Sequence, residues 1–312
     1  TAIKLQTFST AITISGSSSS NGNFVQGVWL ADSAGASNIL NTDLQTALTS
    51  SNLQLDSTGA ITVSAAVSNA TSGRSLTLNC GGSGEFTNSG GAISVAGDLT
   101  VTCANVLTYA NLTAVGSIRL TGTSTSYVLI YSNLTTTGGS ASEIRLKTAG
   151  RFLLDTGYKL TTAGGDVVVW TGTDKVAGTN RASTSIYINI NSSIETNGGK
   201  IWLGGGLDDG GADALITTSR GKWSSVVAND GLPDGYAVGM SVDNAWDVGV
   251  FIESGTLLNS KGGDIFIAGA QSTSSLSGYA HIALKNGARV DSGTGRIAMW
   301  GRALAGTSNW SQ

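Results

Sequence analysis

The chain has 312 residues, of which 40% are hydrophobic, so it is long enough and apolar enough to bury a sizeable core. Its net charge is −3, only 12% of its residues are charged and basic runs are absent, which argues against a nucleic-acid partner. With 44 glycines, one proline and Ser and Thr in place of Lys and Glu, the composition disfavours helix and favours many short strands.

The predicted strands begin at residue 2, and no stretch approaches the roughly 18 apolar residues that a transmembrane helix needs. The segment Thr1–Thr13 does not resemble a signal peptide, so we expect a processed or excised piece of a secreted protein. Both ends, Ala2–Leu5 and Ile297–Trp300, have the pattern of ordinary strands without a polar cap. Because such ends template further strands, we expect continuation by more coils or by head-to-tail copies.

One short helix is predicted at Asn41–Leu48. Asn41 is a capping residue, Asp43 is an acid in the first turn, and Leu44 and Leu48 have helical spacing. We expect this helix to lie on the surface of the strand-rich body.

Up to about residue 150 the strands repeat with a short period. The segments Leu76–Cys80 and Leu99–Cys103 match at a spacing of 23, and Ser117–Leu120 and Glu143–Leu146 match at 26. Residues one coil apart lie above each other in a solenoid, so Cys80 and Cys103 are expected to be neighbours. Their chemistry has two interpretations, a disulfide or two buried free thiols.

A longer repeat follows, in which an apolar alternation, two or three Ser, Thr or Asn residues, a glycine pair and a second alternation succeed one another. It occurs at residues 158–167, 193–201, 256–265 and, loosened, 288–297. The second glycine falls at 165, 199, 263 and 295, and we interpret the middle gap of 64 as two periods of 32.

The alternation within each copy separates two faces. Ile201 and Leu203 are expected to point inward, and Lys200 and Trp202 outward. One copy cannot bury its apolar row alone, so copies must stack. The sequence therefore predicts an all-β, single-stranded parallel β-helix (β-solenoid) of one domain over residues 1–312. It predicts shorter coils to about residue 150 and longer coils of about 32 residues after it, some ten to thirteen coils in a rod of about 50 to 60 Å.

Residues 204–250 interrupt this pattern and are predicted to form a lateral loop excursion. Its carboxylates at Asp208, Asp209 and Asp213 follow glycines, and calcium binds such oxygens. They match neither an EF-hand loop nor the calcium-binding nonapeptide repeat. We interpret them as solvated turn residues, with a calcium site as the alternative.

No catalytic residue is predicted. The single histidine, His281, lies in an alternating strand and is expected to be outward-facing and inert, and the cysteines do not form a Cys-x-x-Cys zinc motif. One enzymatic alternative is kept. Asp243 and Asp247 lie near Arg220 and Lys222 in sequence, and β-helical enzymes that cleave polysaccharides place acids beside cations on one face.

A glycan-binding face is a further alternative. Trp202, Trp223, Trp246 and Trp300 are candidates for a flat platform, since an aromatic face covers the apolar face of a sugar ring. The alternative interpretation is that these aromatic rings simply stack on one another from coil to coil.

The phrases Ile194–Gly206, Gly262–Gly269 and Gly295–Gly301, with Asp43–Leu55 and Ser57–Val63, resemble repeats of filamentous-haemagglutinin-like bacterial exoproteins. The likeness covers most of the chain from about residue 39, but its repeats are degenerate. It implies a right-handed β-helix, secretion to the cell surface and a role in adhesion or fibrous appendages. No cofactor is predicted apart from the alternative calcium site. The sequence therefore predicts a non-enzymatic structural or adhesive segment, with surface glycans as a further possible partner.

Overall fold

The computed structural model describes residues 3–6, 11–15, 24–25, 28–29, 37–123, 127–173, 184–208, 230–239, 248–271 and 281–303. Within these ranges the chain forms one helix and 31 strands. The helix is α1 (Asn41–Ser50). The strands are β1 (Ile3–Gln6), β2 (Ala11–Ser15), β3 (Phe24–Val25), β4 (Val28–Trp29), β5 (Ser37–Leu40), β6 (Leu53–Ser57), β7 (Ala60–Val63), β8 (Val67–Asn69), β9 (Leu76–Cys80), β10 (Glu85–Thr87), β11 (Ile93–Val95), β12 (Leu99–Cys103), β13 (Asn105–Thr108), β14 (Leu112–Ala114), β15 (Ile118–Gly122), β16 (Tyr127–Ile130), β17 (Leu134–Thr136), β18 (Ile144–Thr148), β19 (Arg151–Leu154), β20 (Lys159–Thr161), β21 (Val167–Thr171), β22 (Ile186–Ile188), β23 (Ser193–Glu195), β24 (Ile201–Gly205), β25 (Ala237–Val238), β26 (Val250–Ile252), β27 (Leu257–Asn259), β28 (Ile265–Gln271), β29 (Ile282–Leu284), β30 (Arg289–Asp291) and β31 (Ile297–Ala303).

These strands form three long parallel sheets, which confirms the predicted β-solenoid. Sheet A has 11 strands and runs from β1 to β31, sheet B has 10 and runs from β5 to β29, and sheet C has 8 and runs from β8 to β30. From β6 onward the chain visits A, B and C in turn, so each coil contributes one strand to each sheet, except that the longest coil adds β25 to sheet A as well. Only the short pair β3–β4 is antiparallel among the described strands.

The core is a set of ladders in which equivalent residues stack. The first inward position of sheet A runs Leu53, Leu76, Leu99, Ile118, Ile144, Val167, Ile201 and Ile265, each paired with the next and at most 2% exposed. Burying a branched aliphatic side chain stabilises by about 1.5–3 kcal/mol, so this row alone is a large share of the folding free energy.

The 64-residue gap is one coil, so its interpretation as two periods was wrong. Ile201 pairs directly with Ile265. Between β24 and β26 the structure describes residues 206–208, 230–239 and 248–249, and the rest of the predicted lateral excursion lies outside the described residues. Ten successive sheet-A strands, β1 to β31, at about 4.8 Å apart give a stack of about 43 Å, which is shorter than expected.

The repeated glycine phrase forms the corner between sheets C and A. A Cβ on Gly199 would lie 2.1 Å from the carbonyl oxygen of Gly165, and one on Gly263 would lie 2.0 Å from that of Gly199. Buried hydroxyls complete the corner, because Thr196 Oγ1 donates to the Gly199 carbonyl at 2.5 Å and Ser260 Oγ to that of Gly263 at 2.5 Å. The repeated sequence is therefore explained by one corner of the coil. Its glycine allows the close approach of the neighbouring backbone, and its Ser or Thr hydroxyl supplies a buried hydrogen bond.

The predicted helix exists but has a different role from the one expected. Sheet C begins only at β8, and α1 covers that edge, with the Asn41 amide donating to the Ala66 carbonyl at 2.8 Å. Leu44 and Leu48 are at most 1% exposed and belong to the main core. Asn41 is the first helical residue instead of the cap. The helix therefore closes the amino-terminal end of sheet C instead of lying on the rod's side.

Candidate functional site

Residues 230–239, which lie between β24 and β26 in the chain, form a strap that packs on the outer face of sheet A. Gly205 bridges Gly235 in antiparallel fashion, and β25 adds to the end of β28 through Ala237 and Gly269. A Cβ on Gly205 would lie 2.5 Å from the Tyr236 carbonyl oxygen, which explains the glycines that end β24. The strap thus fits only because that strand end has no side chains.

Beneath the strap lies a second apolar cluster, outside the coil. Its buried members are Val168, Trp170, Trp202, Tyr236, Val238, Phe266, Ala268, Ala270 and Ala298. Burial raises the pKa of Tyr236 to about 12, so its phenol stays neutral.

Trp202 points outward as predicted, opposite the fully buried Ile201 and Leu203, but it is not part of an exposed platform. It is 5% exposed, and its ring stacks on Phe266 at 4.5 Å between centroids. Trp300 is half-buried at the edge of the same cluster. Trp223 and Trp246 lie outside the described residues, so the complete four-tryptophan face stays a prediction.

A carboxylate cluster lies where the strap meets the end of β24. Ligand oxygens of Asp208, Asp230 and Asp234 lie within 4.8 Å of one another, and Asp234 is 1% exposed. Asp208 accepts hydrogen bonds from the backbone N–H groups of Asp230, at 3.1 Å, and Gly231, at 2.7 Å. Three carboxylates are suitable ligands for a hard divalent cation. Of the residues predicted for calcium, Asp208 belongs to this cluster, while Asp209 and Asp213 lie outside the described residues.

Charged side chains from three successive coils continue from this cluster along sheet A. Arg119 bridges Asp98 at 3.2 Å and Glu143 at 3.0 Å, and Arg145 also pairs with Glu143 at 2.8 Å. Arg145 additionally donates to the Gly231 carbonyl, which ties the row to the strap. Each charge in this row therefore already has an opposite partner.

Lys147 occupies the join between the charged row and the aromatic cluster. Its ammonium lies 3.9 Å from the centroid of the Trp170 ring. Desolvation lowers the pKa of Lys147, Arg145 lowers it further, and Asp208 and Glu143 oppose the shift. A partly desolvated amine beside carboxylates is a chemically useful arrangement. Sequence reasoning missed Lys147, Asp230 and Asp234 as one site because the register that joins their coils is not visible in the sequence.

Sheet B carries aromatic pairs that sequence reasoning also missed. Tyr109 and Tyr131 stack at 5.1 Å, and Tyr187 stacks on Phe251 at 5.0 Å. Desolvation and the neighbouring Glu253 raise the pKa of Tyr187 to about 12. In each pair one face of each ring contacts the partner ring, as in ladder stacking between coils.

The two cysteines are joined in the structure. Cys80 and Cys103 form a disulfide with Cα atoms 4.6 Å apart, connecting the ends of the neighbouring strands β9 and β12. They lie where β9 and β12 end, at the corner between sheets A and B.

His281 precedes β29 and is half-buried, not fully outward-facing. Its Nδ1 atom is buried without a hydrogen-bond partner in the described part of the chain, and desolvation lowers the imidazole pKa.

The last coil exposes residues at positions that are core in every coil before it. Leu284 is 43% exposed, Ile297 40% and Met299 38%. Their partners one coil earlier, Ile252, Ile265 and Ile267, are all 0% exposed.

A scan against protein-family models, a search of curated proteins and a search of solved structures each found no significant match. The resemblance to haemagglutinin-like repeats therefore stays a prediction. Among the described residues, no helix is long and apolar enough to cross a membrane.

Proposed function

We propose that the chain is a non-enzymatic structural and adhesive segment of a fibre secreted to, or exposed on, the bacterial cell surface. Stacked coils, each contacting only its neighbours, make an extended body whose length grows with each coil. Such a body suits a spacer that holds binding surfaces away from a cell.

The ladders of stacked coils are the observation that carries the proposal. The first inward position of sheet A repeats from Leu53 to Ile265, and each residue in that row is at most 2% exposed. A body in which every coil buries the same positions against its neighbours suits a structural segment.

Immunogold electron microscopy of cells that produce the protein tests this proposal. Antibodies against the purified chain should label fibres outside the cell, with label at intervals along each fibre. Cells that lack the gene are the control. Label confined to the cell interior contradicts the proposal.

The carboxylate cluster favours a second candidate, a polysaccharide-cleaving enzyme. Asp208, Asp230 and Asp234 lie together on the outer face of sheet A, and the charge of Asp208 acts on Lys147. A cation held by the acids and an amine of lowered pKa would neutralise a uronate and abstract a proton.

Incubation with polygalacturonate or alginate and calcium tests this second candidate, with unsaturated products followed by ultraviolet absorbance. Activity that Lys147→Met abolishes, and that Lys159→Met on sheet C leaves intact, would favour the enzyme over the structural segment. No product from either polymer would remove the enzyme for these substrates.

A further inference from the structure

We infer that Lys147 is a nucleophilic lysine whose amine forms a Schiff base with an aldehyde or ketone. This activity goes beyond the proposed function, because it belongs to one side chain and is the same whether or not the chain is part of a fibre. Lys147 points outward from β18, an interior strand of sheet A. Its neighbours in register are the uncharged Thr121 of β15 and Trp170 of β21.

The amine of Lys147 is half-buried and has no ion-pair partner among the described residues. Its ammonium instead lies 3.9 Å from the centroid of the Trp170 ring. Trp170 is 3% exposed, and its Nε1 donates a hydrogen bond to the Gly206 carbonyl at 2.6 Å. The ring is therefore held as an apolar wall that excludes water from one side of the amine.

The charges around Lys147 favour the neutral amine, which is the nucleophilic form. Desolvation is the largest cause and lowers the pKa of Lys147, and the neighbouring Arg145 lowers it further. Asp208 and Glu143 act in the opposite direction, as does attraction to the Trp170 ring. The net pKa is lower than the usual value for lysine. A desolvated lysine beside a second cation is the arrangement that activates lysines for Schiff-base formation.

Arg145 is held beside Lys147 by contacts on two sides. Its guanidinium pairs with Glu143 at 2.8 Å and donates to the Gly231 carbonyl of the strap. Arg145 and Lys147 are two residues apart on one strand, so their side chains leave the same face of the sheet. The repulsion between the two cations is therefore a fixed property of the fold.

The proposed reaction conserves atoms and needs no oxidant or reductant. The lone pair of Lys147 Nζ attacks the carbonyl carbon, the C=O π electrons move to oxygen, and a proton passes from nitrogen to that oxygen. The carbinolamine is then protonated on its hydroxyl and loses water, which leaves a C=N bond. Asp208 and Glu143, whose charges act on this amine, stabilise the cationic iminium as it forms. Asp230 and Asp234 lie beside Asp208 and add negative charge there.

Reductive trapping on the whole 312-residue chain tests the inference. The probe is benzaldehyde with sodium cyanoborohydride at pH 7, and peptide mass spectrometry locates each benzylated lysine. Lys159 is the internal reference, because it is an exposed lysine on sheet C. We expect Lys147 to be labelled about threefold or more faster than Lys159, although it is the less exposed of the two.

Competitive acetylation separates activation of the amine from its accessibility. The reactivities of Lys147 and Lys159 are compared from about pH 6 to pH 11 with isotopically labelled acetic anhydride. We expect the reactivity of Lys147 to rise at lower pH than that of Lys159. The ratio of the two is then largest near neutral pH and falls as both amines become neutral, whereas an ordinary amine gives a constant ratio.

Two arginine variants form a matched pair. Arg145→Gln removes the cation next to Lys147 and should slow its labelling at pH 7 about two- to threefold. Arg119→Gln also removes a partner of Glu143, at 3.0 Å, but Arg119 is not among the groups that shift the pKa of Lys147. It should leave the labelling of Lys147 within experimental error of the wild-type value. Circular dichroism checks that both variants are folded.

The outcomes separate this inference from the proposed function. Labelling of Lys147 no faster than that of Lys159, a ratio that does not change with pH, or equal labelling in the two arginine variants would overturn the inference. None of these results changes the expected immunogold labelling of fibres. Conversely, label confined to the cell interior would contradict the proposed function and leave the reactivity of Lys147 as it is.

Discussion

Glycine at the corner between sheets C and A has a steric role that sets the register of the longer coils. Gly263 lacks a positive φ, so conformational freedom does not explain it. The closeness of the Gly199 carbonyl, 2.0 Å from a built Cβ, does. Sequence reasoning found the phrase because the spacing recurs, but it could not give the cause, which is an approach between residues 64 positions apart in the chain.

Substitution of this glycine should therefore be costly. We expect Gly263→Ala to lower the free energy of unfolding by about 3 kcal/mol, because backbone must move to admit the methyl group. Gly73 has a φ of +72° and open space around a built Cβ, so Gly73→Ala should cost only about 1–2 kcal/mol. Urea unfolding followed by circular dichroism measures both. Equal midpoints for the two variants would refute the steric explanation.

His281 makes the stability of the last described coil depend on pH. Desolvation lowers the pKa of its imidazole in the folded chain, so protonation favours the unfolded form. The stability that neutral His281 permits is complete above its unfolded pKa, about 6.5, and is lost as the pH falls through the lower folded value. Hydrogen exchange in β29, corrected for intrinsic rates, should be faster at pH 5 than at pH 7. His281→Asn should remove that difference, and a difference that persists in the variant would assign it to another group.

Individual elements were predictable where they repeat. The alternation of Ile201, Trp202 and Leu203 correctly predicted which side chains point into the coil and which point out of it. Side chains alternate between the two faces of any strand, so this property can be determined from neighbouring residues alone. Helix α1 was predicted from the helical spacing of its leucines. That it covers the edge strand β8 was not predicted, because this depends on sheet C having no strand before β8 among the described residues. The strap was not predictable in detail, since its contacts join Gly235 to Gly205 and Ala237 to Gly269 across the sheet.

The disulfide connects two neighbouring coils near the amino-terminal third of the chain. Cys80 and Cys103 enclose a loop with a sequence separation of 23. In the chain-entropy model, closing a loop of this size lowers the entropy of the unfolded chain and stabilises the folded state by about 3 kcal/mol. The core ladders on both sides of it are independent of the bond.

We therefore expect the Cys80→Ala, Cys103→Ala variant to fold but to lose about 2–4 kcal/mol of stability. Dithiothreitol should lower the midpoint of the wild-type chain to a similar degree and leave the variant unchanged. Chemical denaturation with and without reductant measures this. A wild-type midpoint insensitive to reductant, with the bond shown to be reduced by mass spectrometry, would contradict the expectation.

At the scale of the whole molecule, rungs and not residues determine distance along the axis. The shorter coils advance one strand spacing in as few as 19 residues, from Leu99 to Ile118, whereas the longest uses 64, from Ile201 to Ile265. The solenoid could be predicted from recurring patterns alone. The number of coils could not, because a lateral excursion and two regular coils have the same length in sequence.

The candidate sites show the same limit. The carboxylate cluster was not predictable as a unit, because Asp208, Asp230 and Asp234 meet only through the strap, which no spacing rule describes.

Spin-label distances test the stacked-coil account most directly. Outward positions of sheet C carry the labels, with Ser68–Glu195 as one pair and Thr161–Asp291 as the other; the two pairs have nearly the same sequence separation. The first pair spans five rungs and the second three, through the registers of β8 to β23 and β20 to β30. Double electron–electron resonance should give about 24 Å and about 14 Å between the labelled backbone positions. Equal distances for the two pairs would contradict a solenoid in which the 64-residue segment forms a single coil.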